Sequence, residues 1–254
     1  MATKKQNITK ISTRGYYDLS DGRKIKNLSY TIYPKKNLQR IYGIKELVIM
    51  IHGLRNDKVG AQQKFLIAKK RLKQLGYQYP VIGYSYDSNT KGAHLKKSAP
   101  QALRVGQKIA KQNGYNLSKF ITDFKKKSPQ TKIRLIGHSL GTEVIMSTIK
   151  QLSPNPINHN IIESVHFFGS SIPNELISSK KYEKFFQKIV RSRVKNYYSL
   201  LDEVLRESHQ DGWIKNPIGC FGATNKITSK FKQIHVNPQN HRFASYALVL
   251  KSFP

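Results

Sequence analysis

The sequence predicts an α/β fold, a mostly parallel sheet with helices on both faces. Three observations point to it. Apolar runs of strand length alternate with helical patterns from residue 47 to the end, the order that builds a parallel sheet through helical crossovers. The run Leu47-Val48-Ile49-Met50-Ile51 is apolar throughout, as a strand covered on both faces must be. Finally, Ile133 to Ile136 leads into Gly137-His138-Ser139-Leu140-Gly141, and a helical pattern from Glu143 to Leu152 follows at once. That places a G-x-S-x-G match between a strand and a helix, the context in which it has physical meaning.

The elements follow in order. Residues 1–11 are polar and basic and read as a flexible tail, leaving 12–254 as a single domain. Ser12–Leu19 and Lys24–Tyr33 flank Ser20-Asp21-Gly22; Asp-Gly between β-rich runs signals an antiparallel hairpin. After the 47–51 strand, Ala61–Leu75 has helical spacing and stops at Gly76. Val81–Tyr86 reads as a strand. Gln101–Lys127 reads as a helix with an interruption near Gly114, ending before Pro129. Lys132–Gly137 is the strand entering the serine turn. Then come a strand at Ile161–Phe168, a helix at Glu175–Val190, strands at Lys195–Leu200 and Phe231–Val236, and a closing helix at Arg242–Lys251.

In such a sheet the site lies at the carboxyl ends of the strands, which is where the turn puts Ser139. Gly137 and Gly141 supply the small residues that a tight strand-to-helix turn needs. A serine hydroxyl needs a base, usually a histidine oriented by a carboxylate. Acids are scarce, 14 Asp and Glu in 254 residues, so the search is selective. Past Ser139, only Asp202 and Glu203 lie just beyond a strand's carboxyl end. Asp202 is the first choice and Glu203 its competitor; an N-cap role also suits Asp202. Among the downstream histidines, His209 shares the acid's own short segment. His235 lies within a strand, and His241 follows that strand by Asn-Pro-Gln-Asn. His241 is therefore the preferred base and His235 the alternative. The Leu140 amide, just after the serine, and the Leu54 amide, in the loop after the 47–51 strand, are the expected oxyanion donors. His52 reads as a structural histidine beneath that loop.

The His52-Gly53 loop, the Gly-His-Ser-Leu-Gly elbow and the order Ser139, Asp202, His241 resemble the α/β-hydrolase superfamily of esterase and lipase type, over about residues 47–251. The resemblance implies a serine hydrolase that cleaves carboxylic esters through an acyl-enzyme on Ser139. Thioesterase, lactonase or acyltransferase chemistry would use the same residues. The loop His52-Gly53-Leu54-Arg55 lacks the repeated glycines of the HGGG type, and the spacing leaves room for a small cap or none. Ser88–Pro100 and Leu205–Thr224, which contains Trp213, are the lid candidates. Leu54, Tyr84, Tyr86, Phe168, Trp213 and Phe221 stand near strand ends, where an acyl pocket would be lined.

The chemistry calls for no cofactor, and no metal-ligand cluster is evident. With 45 Lys and Arg the formal charge is +31, a field that attracts anionic membrane or other polyanions. The basic clusters lack the aromatic interleaving of a nucleic-acid module, so no specific nucleic acid is expected. The expected partner is a small-molecule or lipid ester. The opposing possibility is a non-catalytic scaffold binding anionic partners through its basic surface. One cysteine, Cys220, excludes an internal disulfide. No apolar secretory stretch opens the chain, so the expected location is cytoplasmic.

Overall fold

The computed structural model describes residues 8–178, 182–223 and 229–254. Strands β1 (Lys10–Ser12), β2 (Thr31–Tyr33), β3 (Glu46–Ile51), β4 (Val81–Ser85), β5 (Lys132–His138), β6 (Ser164–Phe168), β7 (Val194–Tyr198) and β8 (Phe231–His235) form one sheet in the order β2-β1-β4-β3-β5-β6-β7-β8. All neighbours run parallel except β1 and β2. Helices α1 (Lys36–Gln39), α2 (Lys58–Gln74), α3 (Ala99–Lys127), α4 (Gly141–Leu152), α5 (Glu183–Ile189), α6 (Glu203–Gln210), α7 (Ile218–Phe221) and α8 (Phe243–Val249) connect and cover the strands. This is the mostly parallel sheet, with one antiparallel pair and helices on both faces, that the sequence predicts.

Side chains along β3 alternate between two cores, because successive residues of a strand face opposite sides. Leu47, Ile49 and Ile51 pack with Phe120 and Phe124 of α3 and with Val144 and Ile145 of α4. Val48 and Met50 pack with Phe65 and Leu72 of α2 and with Phe243 and Tyr246 of α8. Both faces of the central strand are thus dry, which explains its unbroken apolar run.

Several boundaries differ from expectation. The proposed tail is not free at its carboxyl end: Ile8 is buried and Lys10–Ser12 is a strand on β4; residues 1–7 lie outside the described residues. The hairpin pairs only at its far ends, Lys10 opposite Tyr33 through Ser12 opposite Thr31, with an isolated bridge between Tyr17 and Lys24. Asp87 accounts for the gap, since its carboxylate accepts the N–H groups of Gly15, Tyr16 and Tyr17 that a longer ladder would use. Helix α3 runs through Gly114 without a break. The glycine there serves close approach: a Cβ would stand 2.3 Å from Ser147 Cβ on α4. The predicted helix at 175–190 is one 3-10 turn, Asn174–Leu176, followed by α5. Between them Ile177 leaves helical geometry to reach the core, and 179–181 lie outside the described residues. Of the lid candidates, Ser88–Pro100 is tied down by Ser88 Oγ on Asn56 O (3.2 Å) and Thr90 Oγ1 on Ala102 O (2.9 Å). Leu205–Thr224 carries most of α6 and all of α7, with Trp213 half-buried; Thr224 is outside the described residues. Tyr84, Tyr86 and Phe168 present no surface for an acyl chain, and the small apolar gap that Phe168 lines lies between α2 and α8. All three are fully buried core residues, because large aromatic rings at the ends of central strands are covered by the helices.

Candidate active site

Strand β5 ends at His138 and α4 begins at Gly141, so Ser139 and Leu140 alone make the turn. Ser139 sits at φ +52°, in the left-handed region that a serine adopts only when its surroundings impose it. Its N–H donates to Phe168 O at 3.0 Å, and its own carbonyl accepts from Thr142 N (3.0 Å) and Thr142 Oγ1 (2.6 Å). A Cβ on residue 141 would fall 2.6 Å from the carbonyl oxygens of both Ile51 and His52. Only glycine lets α4 start this close to the end of β3.

His241, in the loop between β8 and α8, comes to Ser139 with its Nε2 2.9 Å from Oγ. Its Nδ1 faces Asp202, 2.7 Å from Oδ2 and 3.0 Å from Oδ1. A carboxylate only accepts, so Nδ1 carries the hydrogen and Nε2 is left to accept from the serine hydroxyl. Asp202 is the N-cap of α6 and accepts Leu205 N–H at 3.1 Å. It is also bonded by Tyr246 of α8, whose hydroxyl donates to Oδ2 at 2.6 Å. The capping role and the contact with His241 coexist on one side chain, because each oxygen accepts more than one bond. Burial pushes the Asp202 carboxyl up. The His241 ring, the Tyr246 hydroxyl and the Leu205 amide together outweigh that and hold it below its ordinary value.

The competing residues lie elsewhere. Glu203 is exposed on the first turn of α6, and His235 is exposed at the end of β8, edge-on to Tyr198 at 5.4 Å. His209 accepts from Asn216 N–H and packs against Phe221.

The Leu54 and Leu140 amides donate to no protein acceptor among the described residues. Their side chains meet at one notch on α3: a Cβ on Gly106 would come 2.6 Å from Leu54 Cδ1 and 3.1 Å from Leu140 Cδ2. His52 is buried under the loop, stacked on Tyr86 with ring centroids 4.7 Å apart, and its Nδ1 is 3.0 Å from Gly53 O.

Three residues were missed by sequence reasoning. Tyr246 lies five positions after His241, and nothing in its local pattern separates it from a core tyrosine. His138 precedes the serine inside the elbow. Its Nε2 donates to the backbone carbonyl of His241 at 2.7 Å, while its Nδ1 is buried without a partner. Burial, then the neighbouring His241, push it down to about 3, so it is neutral. Glu143, in the first turn of α4, accepts from Gln107 Nε2 (3.2 Å) and Ser171 Oγ (3.5 Å). Burial raises its carboxyl to about 7.

Among the described residues no group of three His, Cys, Asp or Glu is arranged to hold a metal ion. No helix among them is long and apolar enough to cross a membrane.

Residues 95–211 match the model of a protein family of unknown function, DUF726. No curated protein matches. Solved structures with a similar layout include a Trichoderma reesei cutinase in complex with a phosphonate inhibitor, at 16% identity and TM-score 0.33. That alignment covers 57% of this chain, and the chain spans 59% of the cutinase. A cold-adapted esterase from an Arctic intertidal metagenomic library aligns at 12% identity and TM-score 0.44, over 84% of this chain and 86% of the esterase. A protein of unknown function from Agrobacterium tumefaciens aligns at 13% identity and TM-score 0.44, over 79% and 84%.

Proposed function

We propose that this chain is a serine hydrolase that cleaves carboxylic esters through an acyl-enzyme on Ser139. The observation that carries the reading is the continuous hydrogen-bonded chain from Ser139 Oγ through the His241 ring to the buried Asp202 carboxylate. In this reading His241 Nε2 takes the hydroxyl proton as Oγ attacks the ester carbonyl. Asp202 fixes the ring's tautomer and offsets the charge of the imidazolium. The Leu54 and Leu140 amides, free of protein acceptors among the described residues, receive the developing oxyanion. His241 then returns the proton to the leaving alcohol. A water attacks the acyl-enzyme with His241 again as base, which releases the acid and restores the serine.

On the substrate side, Leu200, Leu201 and Val204 are exposed around the Asp202 cap. They offer apolar surface at the sheet edge that holds Ser139, which favours an ester with an apolar acyl or alcohol part. Among the described residues the Lys and Arg side chains paired with carboxylates are Lys119, Lys132, Arg134 and Lys215. Most of the described Lys and Arg side chains thus have no carboxylate partner, and the excess positive charge would draw the enzyme toward anionic lipid. The single cysteine is free and buried, which suits the reducing, cytoplasmic setting that goes with this proposal.

The test is labelling by a fluorophosphonate probe with the modified peptide identified, beside hydrolysis of short p-nitrophenyl esters by wild type and Ser139→Ala. The expected result is probe on Ser139 and activity lost in the variant. An unlabelled wild type whose ester turnover equals that of the variant would remove the proposal.

A further inference from the structure

The loop that carries the Leu54 amide is held by a network whose outermost member comes from the start of the chain. In a trans peptide the C=O and the following N–H lie in one plane and point in opposite directions. Fixing the Gly53 carbonyl therefore fixes the direction of the Leu54 N–H. That carbonyl has two partners, His52 Nδ1 at 3.0 Å and Asn56 Nδ2 at 3.0 Å, and Asn56 Nδ2 also donates to Leu54 O at 2.7 Å. Both donors pull the carbonyl inward, so the N–H points out of the loop. On its own side Gly53 lies against the serine, close enough that a Cβ there would be 2.9 Å from Ser139 Cβ.

For His52 to donate from Nδ1, its Nε2 must be the accepting nitrogen. Arg14 enforces this. Its guanidinium is permanently charged and can only donate, and its Nη2 stands 3.2 Å from His52 Nε2. The two hydrogens of that nitrogen are shared among His52 Nε2 and the carbonyls Asn56 O and Asp57 O, each of the latter at 3.0 Å, while Nε donates to Ser85 Oγ at 2.7 Å. The Tyr86 amide adds a weaker donor to Nε2 at 3.3 Å. Arg14 is itself launched from fixed backbone: Thr13 N–H is on Ser85 O, Arg14 N–H is on Ser12 Oγ, and the amides of Gly15, Tyr16 and Tyr17 are on Asp87.

We infer that Arg14 is a positioning residue for the oxyanion site. It selects the His52 tautomer and anchors the 56–57 carbonyls so that the Leu54 amide is aimed before the substrate arrives. The inference rests on the reading of Ser139 as nucleophile and Leu54 as oxyanion donor. Its chemical class is transition-state positioning rather than substrate binding, so its loss should fall on kcat and spare KM.

The experiment compares wild type with Arg14→Ala and Arg14→Lys on one p-nitrophenyl ester, with and without millimolar ethylguanidinium. Nitrogen-15 NMR of the His52 ring and thermal melting of each protein accompany the kinetics. The expected result is a kcat about 10- to 100-fold lower in Arg14→Ala, short of the loss from deleting an oxyanion donor outright. KM should stay within about twofold. Ethylguanidinium should restore much of the loss, Lys should not, and the His52 ring should shift from the Nδ1–H form toward a mixture. A folded Arg14→Ala with kcat within twofold of wild type overturns the inference. So does a loss that tracks a lower melting temperature and is not relieved by ethylguanidinium. The NMR arm reads the Arg14–His52 lock without any turnover: an unchanged ring in Arg14→Ala overturns the lock, whereas an unlabelled, inactive wild type overturns only the proposed function.

Discussion

Tyr246→Phe removes one oxygen atom and, with it, the 2.6 Å bond to Asp202 Oδ2. Both side chains are buried, and the acceptor carboxylate is held below its ordinary value in part by this hydroxyl. A hydrogen bond to a charged group contributes about 1.5–3 kcal/mol. The phenylalanine leaves the ring packing intact, so the loss should lie in that range at pH 7. For a domain of this size that corresponds to about 3–12 °C in melting temperature. The charged part can be isolated with a double-mutant cycle through Asp202→Asn. An amide in place of the carboxylate leaves at most a neutral bond of about 0.5–1.5 kcal/mol, so the coupling energy should be about 1 kcal/mol. The sign with pH follows from the lowered Asp202 carboxyl. Its stabilisation is present above the ordinary carboxylate range and is lost as pH falls through its folded value. The tyrosine's contribution must therefore shrink in acid. Urea titrations of the four proteins measure all of this. A cost below about 0.5 kcal/mol at neutral pH, or a coupling energy indistinguishable from zero, would refute the account of Tyr246 as a stabiliser of the charged aspartate.

Glu143→Gln should act with the opposite sign. A carboxyl raised from 4.5 to about 7 contributes stability below its ordinary value and loses it as pH rises through 7, a ceiling of about 3 kcal/mol. The variant should match wild type at pH 5 and exceed it by about 1–3 kcal/mol at pH 9 in denaturant titrations, and equal stabilities at both would count against a buried neutral Glu143. His138→Phe removes the donor that holds the His241 backbone and should lower kcat about 10-fold or more. His138→Gln keeps a donor there and should recover most of it, as steady-state ester kinetics would show. Gly141→Ala drives a methyl group into two backbone oxygens and should cost about 1–3 kcal/mol together with most of the activity, read by melting and by fluorophosphonate labelling.

The parts of the site that lie along the chain were legible in the sequence. The strand–turn–helix around Ser139 is local, and so are the continuous run of β3 and the glycine that lets α4 begin beside it. Asp202 and His241 were narrowed by the scarcity of acids and by strand order, and the structure brings those two, rather than Glu203 and His235, to the serine. What was not legible depends on contacts distant in sequence. Arg14 meets His52 across 38 residues, and Tyr246 meets Asp202 across 44. Neither has a local signature, because a buried tyrosine or a half-buried arginine is set by what the fold delivers to it. The N-terminal pairing was misjudged for the same reason. Asp87, in a loop 70 to 72 residues further on, takes the amides that the Asp-Gly signal would have assigned to a hairpin.

The span of the hydrogen-bonded chain also has a bearing on how the molecule assembles. Ser139 and His241 stand 102 residues apart, and Asp202 joins His241 across 39. The turn that carries Ser139, the cap at Asp202 and the loop that carries His241 are three separate segments of the chain. A protein with β3, β4 and β5 paired but the segment from His241 through α8 undocked would hold the serine turn and still lack the ring that joins Ser139 to Asp202. Phe253, beyond α8, packs edge-on to Tyr77 at 5.2 Å and lies 4.7 Å from His166, so docking of this last segment secures the whole C-terminal unit to the sheet. If Ser139 is the nucleophile proposed above, a covalent serine probe would count only those chains in which Ser139, His241 and Asp202 have come together, and so would report completed folding as well as chemistry.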